Sequence, residues 1–373
     1  MSVKFLAAVP LVTLVAWLPT GALADEDRPR FAVGGYGDVK YETTELNDTS
    51  AYSARFVPIF LFSLNDKMHV EAETEISLSA EGETEIELEY ADLHYFLTDT
   101  VTVTAGKFLL PFGQFGPNIH PSWINRSPWT PGIYGTHGGT QAMEALLPVL
   151  SDVGIAFQKT FVVGENQKIF LDLYSTNGPR VEAAHEDEGE EGDVVEEESH
   201  DELPELEFDA TNGDNNKNKA FGGRVAYALL PNIEIGASFY TSKYDDEDAL
   251  EFNARGLDLN ISSAHYALRG EYIATETDGL EEEEGEIETH TFKGDGWYLQ
   301  NTLQIGKVWP SVAGTEIVIE YSETNKLAES SRWMAGINYW LDTRSVIKVA
   351  YDDTDVKDDA DDQRFVVQLS YGF

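Results

Sequence analysis

The sequence predicts an all-β protein, an antiparallel barrel of about sixteen strands that crosses a membrane, and three observations predict it. Segments of about ten residues alternate apolar with polar or small side chains, which is the period of a strand whose two faces meet different surroundings. The connections between these segments alternate short with long and acidic. The chain stops on an alternating aromatic segment in which Phe365, Val367, Leu369, Tyr371 and Phe373 share one face, while Arg364, Gln368 and Ser370 share the other.

Residues 1–24 read as an export signal. Lys4 gives a positive start, Phe5–Leu18 is an apolar run too short to span a bilayer, and Ala22-Leu23-Ala24 is a small-x-small cleavage site. The barrel is expected over 25–373. Its strand-like segments begin with Phe31–Tyr41, Arg55–Leu64, Lys67–Ser79, Thr84–Leu97, Val101–Phe108, Asp152–Val163, Lys168–Thr176 and Ala220–Leu230. They continue with Asn232–Lys243, Gly256–Ser262, His265–Thr275, Asp295–Ile305, Thr315–Glu323, Arg332–Leu341, Ser345–Tyr351 and Arg364–Phe373. Beyond the signal no window reaches the roughly 18 consecutive apolar residues of a helical span.

Connections after even-numbered segments are short, as at Asn65-Asp66, Thr98–Thr100, Gly164–Gln167, Pro231 and Asp342–Arg344. Those after odd-numbered segments are mostly long and acidic: Glu42–Ala54, Asn177–Lys219, Tyr244–Arg255, Glu276–Gly294 and Asp352–Gln363. Ala80–Glu83 and Gly306–Gly314 depart from this rule. The alternation puts both termini on one side and the long loops on the other, the plan of a bacterial outer-membrane barrel. Tyr95, Phe96, Trp297, Tyr298, Trp333, Tyr339 and Trp340 fit girdles at the two lipid interfaces.

The chain carries 67 acidic and 25 basic side chains, a formal net charge of −42, and no cysteine. Nucleic acid is excluded as a partner, because phosphate binding needs clustered bases. Disulfides, thiolate metal sites and a cysteine nucleophile are excluded as well. No catalytic fingerprint appears, and a barrel-borne hydrolase would need His94, Asp92 and a serine brought from separate strands, so no enzyme is expected.

The connection Leu109–Leu150 holds one acid, Glu144, and one base, Arg126, amid Pro111, Phe112, Pro117, Trp123, Trp129 and Tyr134. Solvated loops seldom carry that much aromatic surface, so this one packs against something. Its start, Gly106-Lys107-Phe108 followed by Pro111-Phe112-Gly113 and His120-Pro121-Ser122-Trp123-Ile124-Asn125, resembles an element of the phosphate-selective porin family and of related porin-like proteins linked to siderophore or metal uptake. The terminal strand likewise resembles the assembly signal of outer-membrane proteins, which implies that Tyr371 and Phe373 are read by the barrel-assembly machinery. The resemblance implies localisation to the cell outer membrane, contact with its lipid and lipopolysaccharide, and a homotrimer. By the same likeness the third outer loop, 109–150, folds into the lumen and constricts it. Lys107, Asn118, His120, Asn125, Arg126 and His137 are the polar groups expected there.

In that family anion sites rest on lumen-facing arginines and lysines. Here the apparent inward faces carry Glu71, Glu73, Glu75, Glu85, Glu87 and Glu89 at spacing two on neighbouring strands. A stack of carboxylates attracts cations and excludes anions by its field, so a cation preference is expected in place of phosphate selectivity. The connection 177–219 contains 15 Asp and Glu within Glu182–Asp209, with His185 and His200. Such blocks are usually solvated and disordered. Their functional reading is weak capture of Ca²⁺ or Mg²⁺, with the two histidines adding Zn²⁺ affinity. The sequence therefore points to passive diffusion of small hydrophilic solutes and cations through a pore. The alternative is a substrate-specific receptor-channel for metal ions or chelates.

Overall fold

The computed structural model describes residues 30–78, 82–135, 143–181, 203–208, 212–283, 286–358 and 360–373. The expected export signal, His137, His185 and His200 lie outside the described residues. Among them sixteen strands close a barrel: β1 (Arg30–Thr44), β2 (Thr49–Asn65), β3 (Met68–Leu78), β4 (Thr84–Thr98), β5 (Val101–Leu109), β6 (Ser151–Val162), β7 (Lys168–Thr176), β10 (Ala220–Leu230), β11 (Ile233–Lys243), β12 (Glu251–Ser262), β13 (Tyr266–Glu283), β14 (Glu286–Leu303), β15 (Thr315–Asn325), β16 (Glu329–Trp340), β17 (Ser345–Val356) and β18 (Asp362–Gly372). A separate two-stranded ribbon pairs β8 (Arg180–Val181) with β9 (Leu206–Glu207). Every barrel pairing is antiparallel between sequence neighbours, and β1 with β18 closes the ring.

Alternation sets the two faces. On β18 Phe365, Val367 and Leu369 are exposed, whereas Arg364, Val366, Gln368 and Ser370 are buried. On β17 Val349 is exposed between buried Lys348 and Ala350. An apolar side chain left exposed at every second position is stable only against lipid, and the polar set then faces inward. Two neighbours on one strand cannot share a girdle for the same reason. Trp297 and Tyr339 are exposed, but Tyr298 is buried on the inward face and Trp340 follows inward Asn338. Phe96, which packs on inward His69 next to exposed Tyr95, is inward too, so Phe96, Tyr298 and Trp340 are corrections to the expected girdle.

The acidic connections are shorter than their composition suggests. β1 and β2 stay paired out to Thr44 and Thr49, β13 and β14 to Glu283 and Glu286, and β17 and β18 to Thr354 and Asp362. Backbone pairing continues beyond the apolar band, where both faces are polar and the apolar alternation that marks a strand is lost. Asp48 (φ 47°) and Asp358 (φ 63°) take the left-handed conformation in two of these turns, which Asp tolerates. The connection 177–219 is also ordered at its flanks: Arg180 bonds Glu207 (2.5 Å) and Phe208 packs on Phe252 (5.2 Å).

β4 contains a bulge. Glu73 pairs with Tyr90 but Thr74 pairs with Leu88, leaving Glu89 as an extra residue. Below it Asp92 and His94 share the inward face with Tyr90; above it Glu85 and Glu87 share that face with Glu89.

At the closing seam Phe373 stacks on Phe56 (5.2 Å, 8°), and its N–H donates to Gly35 C=O (3.0 Å). Gly35 has φ 148°, and a Cβ there would lie 2.3 Å from Val57 O and 2.8 Å from the Phe373 ring, so the ring seats on bare backbone. Phe373→Ala is expected to lower barrel stability by about 1 kcal/mol through loss of the stack. The loss is read as a lower temperature for the shift from folded to unfolded mobility on a gel.

Candidate functional site

The segment between β5 and β6 is tied at its base, where Leu110 N–H donates to Leu150 C=O (2.9 Å). Gly113 then takes φ 63°, and a side chain there would meet Glu271 Oε2 at 2.1 Å, so only glycine lets the chain approach β13 this closely. A single π-helical turn, Phe115–Ile119, follows. Phe112, Phe115, Ile119, Ile133, Tyr134, Leu146 and Leu147 are buried with Tyr240, Phe252, Ile273 and Tyr298 from the wall.

Polar ties to the wall are spread over many strands. The Glu271 carboxylate accepts the N–H groups of Gln114 (3.2 Å) and Phe115 (2.7 Å) and the hydroxyls of Tyr134 (2.6 Å) and Tyr298 (3.2 Å). The Lys348 ammonium donates to the backbone carbonyls of Ser122 (2.5 Å), Asn125 (2.8 Å) and Ser127 (3.0 Å). Ser238 Oγ accepts from Gly113 N–H, Ser322 Oγ accepts from Gly132 N–H, Arg332 donates to Thr130 C=O, and Asn338 donates to Arg126 C=O. On β1 Glu42 accepts from the Trp129 indole (2.5 Å), and the Arg364 guanidinium lies 4.7 Å over that ring. One segment thus touches β1, β11, β13, β15, β16, β17 and β18. Apart from the glycines and the aromatic content, no sequence signal marks Glu271 or Lys348 as its partners.

The six glutamates fall on one face of β3 and β4. Glu71 is opposite Asp92, Glu75 opposite Glu87, and Ser77 opposite Glu85. They are not all free charges: Glu73 is 2% exposed and accepts from Tyr36 Oη (2.9 Å), and Glu75 accepts from Arg55 Nη1 (3.1 Å), whose Nε donates to Asp38 (2.7 Å).

Of the polar groups expected in the segment, Asn125 is buried and works on the backbone, donating to Trp129 C=O and accepting from Ser127 N–H and the Gln300 amide. Asn118 is half-buried on the π-helical turn. Arg126 lies 4.8 Å over the Trp340 ring and 3.6 Å from Glu316; burial lowers its pKa and Glu316 raises it, with burial prevailing. Lys107 stands apart. It is paired with Ala91 and Val153, on the face opposite buried Thr104 and Phe108, so strand alternation turns it outward and away from Asn118, His120, Asn125 and Arg126.

His120 donates through Nδ1 to Gly116 C=O (2.5 Å), and its Nε2 lies 3.7 Å from Glu73 Oε1. Burial opposes the imidazolium, but the Glu73 carboxylate, helped by Glu89, outweighs it and raises the pKa. A raised pKa means this tie contributes its full stability below the ordinary imidazole range and loses it as pH climbs through the elevated value. Conductance noise is expected to grow as pH rises past neutrality, and His120→Gln to remove that dependence, both read in single-channel recordings.

The inward faces also hold bases that periodicity did not single out. Arg224 pairs with Asp258 (2.6 Å) and Glu234 (2.8 Å), Arg332 with Glu320 (3.1 Å), and Arg364 with Asp352 (2.5 Å). Each is a polar residue on a strand whose alternate positions are apolar, which is the signal that could have found it.

A family model described as Gram-negative porin matches residues 12–359. No curated protein matches the sequence. Among solved structures the chain is similar to an anion-selective porin from Comamonas acidovorans (TM-score 0.61, 12% identity, 93% of this chain and 100% of that one). It is also similar to OmpF of Salmonella typhi in complex with daunomycin (0.57, 13%, 94% and 99%) and to the trimer form of OmpT, an outer membrane protein of Vibrio cholerae (0.54, 10%, 93% and 100%). At these identities the likeness is one of fold.

Proposed function

Because this chain belongs to the Gram-negative porin family and is an outer-membrane channel for small solutes, we propose that its bore is set by the segment Leu109–Leu150 folded inside the barrel. The observation that carries this reading is the spread of ties from that one segment to β1, β11, β13, β15, β16, β17 and β18. A connection above the rim reaches its neighbouring strands; one that bonds the inward residues of Glu271, Ser322, Arg332 and Lys348 reaches across the interior.

The same reading gives small hydrophilic solutes a passive route with a cation preference. Arg55, Arg224, Arg332 and Arg364 are each held by at least one carboxylate, so their fields are largely cancelled at short range. Glu71 and Glu85, together with the acidic outer hairpins, add negative charge that those pairs do not balance. Anion preference is the second reading, favoured by Arg126 beside a single carboxylate, Glu316. Reversal potential in a planar bilayer under a KCl gradient separates the two. Cation selectivity that falls in Glu71→Gln/Glu73→Gln/Glu75→Gln is the expected result; anion selectivity overturns the assignment of the glutamate face to the water path. A homotrimer, the state of the OmpT form above, is the expected assembly and is read by crosslinking in membranes.

A further inference from the structure

On the inward face of the lower half of β3 and β4 two imidazoles and two carboxylates stand as a square: His69 is directly opposite His94, and Glu71 directly opposite Asp92. Directly opposed residues of antiparallel strands have Cβ atoms about 5 Å apart and pairs two residues along are about 7 Å away. Like charges directly opposite are destabilising. Yet Glu71 and Asp92 face each other, while Arg55 on the neighbouring strand β2 is engaged by Asp38 and Glu75. Asp92 is 8% exposed and its Oδ1 has no well-aligned hydrogen-bond donor, although His94 Nε2 lies 2.9 Å from it. Two opposed carboxylates and an under-satisfied buried oxygen call for a cation, and the adjacent imidazoles say of which kind.

We propose that His69, Glu71, Asp92 and His94 form a binding site for a divalent transition-metal ion of the zinc class. Two neutral imidazoles with two carboxylates are a set of borderline and hard ligands that suits Zn²⁺ in four-coordinate geometry, and one that Mg²⁺ and Ca²⁺, which take oxygen ligands, do not favour. The four donors do not converge in the present arrangement, in which the His69 ring stands edge-on to Phe96 (5.0 Å, 79°). The backbone register sets the four as two opposed pairs on one face, and closure on an ion would require their side chains to rotate. Thr104, whose Oγ1 lies 2.9 Å from His94 Nδ1, holds the other ring nitrogen and leaves Nε2 to the metal. The residues of this site are distinct in sequence from His185 and His200.

The test is titration of the full-length exported protein in detergent micelles with Co²⁺ alone, a spectroscopic stand-in for Zn²⁺. The expected result is the visible band pattern of a tetrahedral cobalt site, abolished by Zn²⁺ and unmoved by excess Mg²⁺. His69→Ala and His94→Ala should each weaken it by more than about tenfold. His69→Gln and Glu71→Gln provide milder variants, with gel mobility confirming the folded barrel in each. Absence of the bands, competition by Mg²⁺, or binding that follows His185→Ala and His200→Ala overturns the site. The assignment rests on the inward placement of this face, and the spectrum does not depend on an open pore. Bands that follow the two histidines with no effect of Zn²⁺ on conductance would therefore uphold the metal site while overturning its place in the water path.

Discussion

Glu271→Leu is expected to give channels of larger and noisier conductance together with a barrel less stable by at least about 4 kcal/mol. Four donors converge on that carboxylate, two backbone N–H groups from Gln114 and Phe115 and the hydroxyls of Tyr134 and Tyr298. Hydrogen bonds to a charged acceptor contribute about 1.5–3 kcal/mol each, and a buried donor left alone loses its hydration as well. Leucine removes all four acceptor contacts at once, so the π-helical turn loses its fixed end. Single-channel recording and the midpoint of urea unfolding measure the two effects. Glu271→Gln keeps the shape and an acceptor oxygen in place and should cost less than half as much; equal costs would show that the charge, not the shape, holds the turn. Unchanged conductance in the leucine variant would show that this part of the segment does not bound the bore.

Lys348→Met is expected to release the middle of the same segment. The ammonium occupies a cup of three carbonyls, at Ser122, Asn125 and Ser127, and methionine fills a similar volume without a donor. Three buried carbonyls left without a cation put the loss at about 3 kcal/mol or more. The two ties hold different parts of the segment, Gln114 and Phe115 on one and Ser122, Asn125 and Ser127 on the other, and share no partner, so the double variant should show the two losses adding for stability. Conductance should rise further than in either single variant, because each variant releases a different part of the segment. Lys348→Arg is the informative control, since a planar guanidinium keeps the charge but cannot point three donors at one cup.

Much of the barrel is legible in the sequence because a sheet with lipid on one side and polar groups on the other has only one way to alternate. All sixteen segments, from Phe31 to Phe373, correspond to strands of the structure. Their outer ends are not legible, because pairing at Glu42, Glu283 and Asp355 continues by backbone hydrogen bonds where no apolar face is left to mark it. The site is legible only as composition. Pro111, Trp123 and Trp129 announce that the segment packs, but its partners at Glu271 and Lys348 lie 157 and 226 residues away from the groups they hold, at Gln114 and Ser122. No local pattern encodes a pairing at that range. Lys107 illustrates the converse: it sits in the very motif that identifies the segment, yet one position on a strand decides its face, and that face is the outer one.

The extra residue at Glu89 has a meaning that belongs to how such chains change over generations. A strand with two unlike faces is read in twos, so inserting one residue acts as a frameshift for everything beyond it. In β4 the bulge is the suppressor of that shift. Straighten the bulge with the residue still in place, and Asp92 and His94 turn toward hydrocarbon, where a charged side chain is destabilising. Absorb it, and the acidic upper half and the imidazole-bearing lower half stay in phase on one wall. Two halves of a single strand can then drift in composition independently, each tuned to its own depth of the passage, with the bulge as the joint that keeps their frames aligned.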